Sequence, residues 1–376
     1  MKIIAISGSA IPSTTANSVQ TMKAVQALAA LGHEVSLIVP LDNSRTKERE
    51  WSFLSEHYGL EKEFLITFLP CSSRKLFFYT AVRHAKKQNP DLLYVWPIQT
   101  AVLGLLFDIP VVLEMHDLPS GRGGPFWFRY FRDLKGKKAV SVITKALHEL
   151  LIDNYGKGVS DLNAVIAPNG VELERFAKLP APPEARQQLG LKQEKTVLCA
   201  GHLYKGRGGE LFLELARNFQ NQGVQFLWVG GNKKDIEHWR LEAAGLENVV
   251  FAGFVPNAQL PLYQAAAEIL IMPYGTSISI SSGMGNSERI SSPMKMFEYL
   301  ATGRPIISSD LPVFREVLNK ENAVLCPPDD AESWTREINR LLVDTDACER
   351  YSTAALISAQ NYSWVERARK ILKAAE

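Results

Sequence analysis

SPMKMFEYLATGRPIISSD, residues 292–310, decides how the rest of the chain is read. Ser292 is a favoured N-cap type and Pro293 suits the first helical position, so a helix is expected to start here. It runs to about Thr302, where Gly303 ends it. The apolar run at 305–310 then reads as a buried strand. A helix followed through a tight glycine turn by a short buried strand is the repeating unit of a parallel α/β sheet.

The same alternation extends in both directions. In the first half, strands are expected at 2–7, 34–40, 92–97, 110–115, 139–144 and 164–169, with the helical pattern SVQTMKAVQALAALG between the first two. In the second half they are expected at 196–201, 224–231, 248–254, 268–274, 305–310 and 323–328. Between the halves lies KLPAPPEARQQLGLKQEK, residues 178–195, whose prolines suit a linker. The reading is α/β: two Rossmann-like, doubly wound parallel-sheet domains facing a central cleft, where ligands bind at strand carboxyl ends. Domain one is expected at 1–178 together with a returning C-terminal helix at about 358–376, and domain two at 179–357.

Composition excludes several classes. A chain of 376 residues exceeds one ordinary core, and 46% hydrophobic with 22% charged residues is that of a globular enzyme. The net charge of +2 gives no global nucleic-acid signal. It is uneven: residues 1–178 hold 21 Lys+Arg against 17 Asp+Glu, or +4, which leaves 21 against 23, or −2. Cys71, Cys199, Cys326 and Cys348 are scattered without a metal-site spacing, so reduced thiols, a cytoplasmic setting and no bound metal are expected. The opening MKIIAISGSAIPS is too short an apolar run for a secretory leader, and no stretch is long enough to span a bilayer.

Four segments carry candidate chemistry. The helix starting at Ser292 presents open N–H groups and a positive dipole end, a site for phosphate, with Met294 and Lys295 in its first turn. Glu298 lies two turns in, placed to accept hydrogen bonds from ribose hydroxyls. In VLCAGHLYKGRGGELFLELA (197–216), a strand ends at Gly201 and a loop brings Lys205, Arg207, Gly208 and Gly209 toward the same diphosphate. The spacing is not G-x-G-x-x-G, which leaves a dehydrogenase only a minor alternative. In PVVLEMHDLPSGRGG (110–124), Glu114, His116 and Asp117 crowd a strand's carboxyl end. In ISGSAIPSTTANSVQ (6–20), Gly8 and Ser9 permit close backbone approach, and Asn17 or Ser18 suits the cap of the next helix.

Together these segments resemble the GT-B, family 4 type retaining glycosyltransferases, over nearly the whole chain. Glu298 followed by ATGRPII matches the second half of that family's E-x7-E and A-x-G-x-P-V/I-I motifs. The first Glu, which contacts the donor sugar in the family, falls on Ile290, and the nearest carboxylate is Glu288. His202 and Arg207 stand where the family has Arg and Lys against the leaving nucleotide, with Lys205 adding charge. The resemblance implies that His116 lies at the reacting sugar, with Glu288 and Arg207 beside it, and that Asn17 and Asp117 face the acceptor. It places Gly8 and Ser9 between acceptor and donor phosphates, and Val255, within NVVFAGFVPNAQLPLYQAAAEILIMPY (248–274), at the nucleotide base.

The activity so implied is metal-independent transfer of a hexose from a UDP- or GDP-sugar to a glycan or lipid-linked acceptor, in polysaccharide or glycolipid biosynthesis. Retention would be front-face, with the diphosphate helping to deprotonate the acceptor. Two alternatives stay open: a nucleotide-sugar epimerase of the same fold and a catalytically silent nucleotide-sugar binder. Finally, SSRKLFFYTAVRHAKKQ (72–88) and PFWFRYFRDLKGKK (125–138) mix basic and aromatic residues, which suits peripheral contact with an anionic membrane at its inner face.

Overall fold

The computed structural model describes residues 1–42, 47–71, 73–121, 123–204, 206–276 and 290–376. Contacts divide the chain into two units, Met1–Asn169 with Trp364–Glu376, and Gly170–Ser363. The first unit thus ends at Asn169, not at 178.

The first unit is built on strands β1 (Lys2–Ile6), β2 (Glu34–Pro40), β3 (Leu65–Leu69), β4 (Leu92–Val95), β5 (Val111–Met115), β6 (Lys138–Val142) and β7 (Ala164–Ile166). Among the described residues they form one parallel sheet in the order β3-β2-β1-β4-β5-β6-β7. Helices cover the sheet, so its central strands are nearly continuous apolar runs: Ile3, Ile4, Ala5 and Ile6 are fully buried. Each such large side chain contributes about 1.5–3 kcal/mol. The helix Ala16–Ala30 packs against the C-terminal helix Trp364–Ala375, which buries Trp364, Arg367, Ala368, Ile371 and Leu372.

The second unit carries β8 (Lys195–Ala200), β9 (Val224–Val229), β10 (Val249–Gly253), β11 (Ile269–Met272), β12 (Ile306–Ser309) and β13 (Val324–Cys326), in the order β10-β9-β8-β11-β12-β13. Its pairings are parallel too. Trp228 and Trp334 are fully buried in its core.

In both sheets the chain winds outward from β1 or β8, then crosses back to place β4 or β11 on the other side. The loops leaving β1/β4 and β8/β11 therefore diverge, and a crevice opens at their carboxyl ends.

Three local readings need correction. β3 was not expected; it is the short apolar run LITFL at a sheet edge, with Leu65 exposed and the next four residues partly buried. The supposed linker contains the helix Pro182–Leu189 inside the second unit, where buried Arg186 donates to the Ala266 carbonyl and to Glu268 at 2.8–2.9 Å. The helix at 292 begins one residue later than expected, at Met294 with extended Pro293 as its N-cap, and ends at Gly303 with φ of 63°.

Candidate functional site

In the second unit, the loop after β8 and the loop after β11 are fastened together. The Gly275 N–H donates to the Gly206 carbonyl at 3.1 Å. Gly208 has φ of +91°, and a Cβ there would overlap the Pro273 carbonyl, so only glycine fits this approach. The junction brings Arg207 to Tyr274. Its Nη1 donates to the Tyr274 hydroxyl at 2.9 Å and its guanidinium carbon stands 5.1 Å from the ring centroid.

The helix Met294–Thr302 reaches the same ring. Lys295 Nζ lies 4.6 Å from the Tyr274 centroid and donates to Cys199 Sγ at 3.5 Å. Burial pushes the Cys199 thiol up, so it stays protonated beside the ammonium. The helix is locked to the sheet because Ala200 N–H donates to the buried Tyr299 hydroxyl at 2.7 Å. Among the described residues, no carboxylate forms an ion pair with Arg207 or Lys295. Two cations held at one aromatic ring without an acidic partner are suited to an anion at the carboxyl end of β8.

Other residues singled out in the second unit surround this centre. Glu298, half-buried three residues after Lys295, accepts from Gln264 Nε2 at 2.9 Å. His202 stacks on Tyr204 with centroids 4.9 Å apart and planes at 9°. Val255 is partly buried and packs on the core cluster that includes Met296 and Phe297. Ser292 is buried but does not cap the helix, and Met294 is its first residue. Ile290, where the motif would have a Glu, is only 5% exposed. Lys205 and Glu288 lie outside the described residues. Tyr274, which organises the site, was missed by sequence reasoning; its position right after a buried strand was the available signal.

In the first unit the centre is Glu114, at the end of β5 and fully buried. Arg367 from the C-terminal helix grips its carboxylate with both Nη atoms, at 2.8 and 3.1 Å. The Tyr94 hydroxyl also donates to it, and His116 Nε2 lies 2.6 Å from its Oε1. Burial alone would push this carboxyl up, but the Arg367 charge and the bond from His116 outweigh that and hold it well below the usual carboxylate range. Tyr94 is pushed up by burial and by Glu114. Gln20 bonds Asn169 and reaches Glu114 at 3.5 Å.

His116 therefore sits at the edge of a buried cluster, its side chain 20% exposed. Asp117 is exposed and turns back to accept from the Leu118 N–H at 2.7 Å. Gly8 and Ser9 are partly buried, and the Ser9 N–H donates to Ser7 Oγ at 3.2 Å. Asn17 is exposed within the helix Ala16–Ala30, and neither it nor Ser18 caps that helix; Thr15 is the N-cap. Ser18 instead donates to the carbonyls of Ser13 and Thr15, both at 2.8 Å. Among the described residues no three His, Cys, Asp or Glu side chains converge as a metal site would need. Nor is any described helix long and apolar enough to cross a membrane.

Comparison with known proteins points to one family. The sequence model described as "Glycosyl transferases group 1" matches residues 194–344, and that described as "Glycosyltransferase Family 4" matches 18–175. A phosphatidyl-myo-inositol mannosyltransferase of Mycobacterium leprae (strain TN) is 29% identical over 221 residues, covering 57% of this chain and 54% of that protein. The putative teichuronic acid biosynthesis glycosyltransferase TuaC of Bacillus subtilis (strain 168) is 25% identical over 277 residues, covering 69% and 64%. The chain thus spans less than two thirds of the length of these relatives. The crystal structure of Anabaena HepE in complex with UDP and glucose superposes with a TM-score of 0.73 at 17% identity, covering 99% of this chain and 98% of that one. Two parallel α/β units of this topology, each matched by its own family model, mean that the chain belongs to the family 4, group 1 glycosyltransferases of GT-B fold.

Proposed function

We propose that the chain is a retaining glycosyltransferase that moves a hexose from a UDP- or GDP-sugar to a glycan or lipid-linked acceptor. The observation that carries this reading is the pair Arg207 and Lys295, held at Tyr274 with no acidic partner among the described residues. In this reading the diphosphate lies between them and the start of the helix Met294–Thr302, where the dipole adds to the attraction. Glu298 receives the ribose hydroxyls and Val255 borders the base. The bond from the sugar C1 to the diphosphate breaks, a bond from C1 to the acceptor oxygen forms on the same face, and the acceptor proton passes to the leaving diphosphate. The two cations stabilise the charge that develops there, so the step requires no metal. His116 hydrogen-bonds the reacting sugar or acceptor.

Thermal unfolding with UDP-glucose, UDP-galactose and GDP-mannose tests this first half of the reaction. One nucleotide sugar should raise the midpoint, by an amount that grows with concentration. No shift with any of them, or with UDP and GDP, would remove the diphosphate site. Release of nucleoside diphosphate on adding acceptor distinguishes transfer from isomerisation, which converts the sugar and releases none.

A second observation bears on the acceptor. The helices Arg74–Lys86 and Gly124–Asp133 both pack against the helix Ile98–Leu106. They bury Phe77, Phe128 and Phe131 and leave Phe126 64%, Leu76 47%, Tyr79 43% and Tyr130 39% exposed. Arg83 and Arg129 are exposed on these helices, and Lys135 and Lys137 are exposed just after the second. Exposed apolar side chains with cations on the same helices and just after them complement an anionic lipid surface. Binding to phosphatidylglycerol vesicles should weaken in Phe126→Ser, Tyr130→Ser; equal binding by wild type to neutral phosphatidylcholine vesicles would contradict the charge argument.

A further inference from the structure

We propose that Arg367, on the C-terminal helix, is a positioning residue that acts through Glu114 to fix the ring of His116, with Nε2–H toward Glu114 and Nδ1 left as an acceptor for a hydroxyl. The proposal rests on the reading above for what His116 does, but not for how it is held.

The geometry runs in three steps. First, the guanidinium of Arg367 cannot rotate: Nε donates to the carbonyls of Ala167 at 3.2 Å and Pro168 at 2.8 Å, and the Trp364 ring centre is 5.3 Å away. Second, this fixed fork aligns the Glu114 carboxylate through Nη2 to Oε1 at 2.8 Å and Nη1 to Oε2 at 3.1 Å. Tyr94 fills a further position on Oε2. Third, a carboxylate so surrounded by donors remains ionised, and an ionised carboxylate only accepts. The His116 nitrogen 2.6 Å from Oε1 must therefore carry hydrogen. In the neutral ring the other nitrogen, Nδ1, is then the lone-pair atom. Such a partner behind an imidazole sets its tautomer and orientation, as outer partners do for metal-bound histidines.

A lysine at position 367 keeps the charge but loses the planar fork, so Glu114 and the ring it holds gain freedom. The experiment compares wild type, Arg367→Lys, His116→Ala and the double variant. Hydrolysis or transfer is followed with whichever of UDP-glucose, UDP-galactose and GDP-mannose is turned over. In parallel, the long-range ¹H–¹⁵N signals of the seven histidines are recorded in the free protein. Arg367→Lys should lower kcat about tenfold with donor KM little changed. It should cost nothing further in the His116→Ala background, and it should move the His116 ¹⁵N shifts from a single tautomer toward a mixture. A lower melting midpoint with unchanged kcat and unchanged His116 shifts would overturn the proposal, as would additive losses in the double variant. If His116→Ala alone leaves kcat intact, the functional reading of His116 fails, while the ¹⁵N shifts still decide whether Arg367 holds the ring. Should Arg367→Lys not fold, Tyr94→Phe removes one donor from the same carboxylate and is read the same way.

Discussion

Each unit places charged side chains at the carboxyl end of its sheet, and the two groups differ in one respect. In the first unit, Glu114 and Arg367 are buried and fully paired with each other. In the second, Arg207 and Lys295 share a tyrosine ring and, among the described residues, face no carboxylate. A closed pair has its electrostatic energy already satisfied in the folded chain, so it sets shape. An unbalanced pair of cations leaves that energy for a ligand to realise, at some cost to the unliganded protein.

Substitutions should separate the two kinds. The largest effect is expected for Glu114→Leu, which leaves Arg367 buried without a counter-charge; a loss of about 3–5 kcal/mol should appear in the urea midpoint. An unchanged midpoint would mean that the pair is not closed. Arg207→Ala should do the reverse: stability within about 0.5 kcal/mol of wild type, but a loss of about 1.5–3 kcal/mol in transition-state stabilisation, measured from kcat/KM for the donor. Glu298→Ala comes next, with nucleotide affinity reduced roughly tenfold by calorimetry and its rate at saturation little altered.

The smallest and most specific effect is in acid. Glu114 titrates below its unfolded value, so its share of stability is complete above the ordinary carboxyl range near pH ~4.3 and is lost as pH falls toward its folded value. The difference in stability between wild type and Glu114→Gln should therefore shrink below about pH 4, by no more than about 1.4 kcal/mol per pH unit. A difference that stays constant down to pH 3 would show that this carboxylate is not held ionised.

Most strands were legible because both sheets are covered on their faces and their strands read as apolar runs. β3 was not, because LITFL is a short apolar run with no alternation to mark it, at a sheet edge where Leu65 is exposed and the next four residues are only partly buried. The helix Pro182–Leu189 hid for the opposite reason. Its buried Arg186 donates through Nη1 to Ala266 and Glu268, about 80 positions away, and looks like surface in sequence. The one-residue shift at Pro293 has a local cause, because proline with ψ of 127° serves as the extended residue before the helix.

At the candidate site the same division holds. Arg207, Lys295 and Glu298 were legible because a glycine-rich loop and a helix start have local signatures. Their convergence on Tyr274 was not. His116 was visible as an ionisable residue at a strand end; Glu114 beside it was visible as a charge in an apolar run, but not as half of a pair whose other member lies 253 positions later.

The sequence by itself determined two parallel α/β domains, all their strands but β3, and the loops that hold candidate chemistry, because hydrophobic period, glycine and helix-capping residues act over a few neighbours. Only the tertiary structure decided that Arg367 neutralises Glu114 while Arg207 and Lys295 stay without an acid among the described residues. Charge balance in a low-dielectric interior is a property of which side chains meet, and that depends on how strands and helices distant in sequence are stacked.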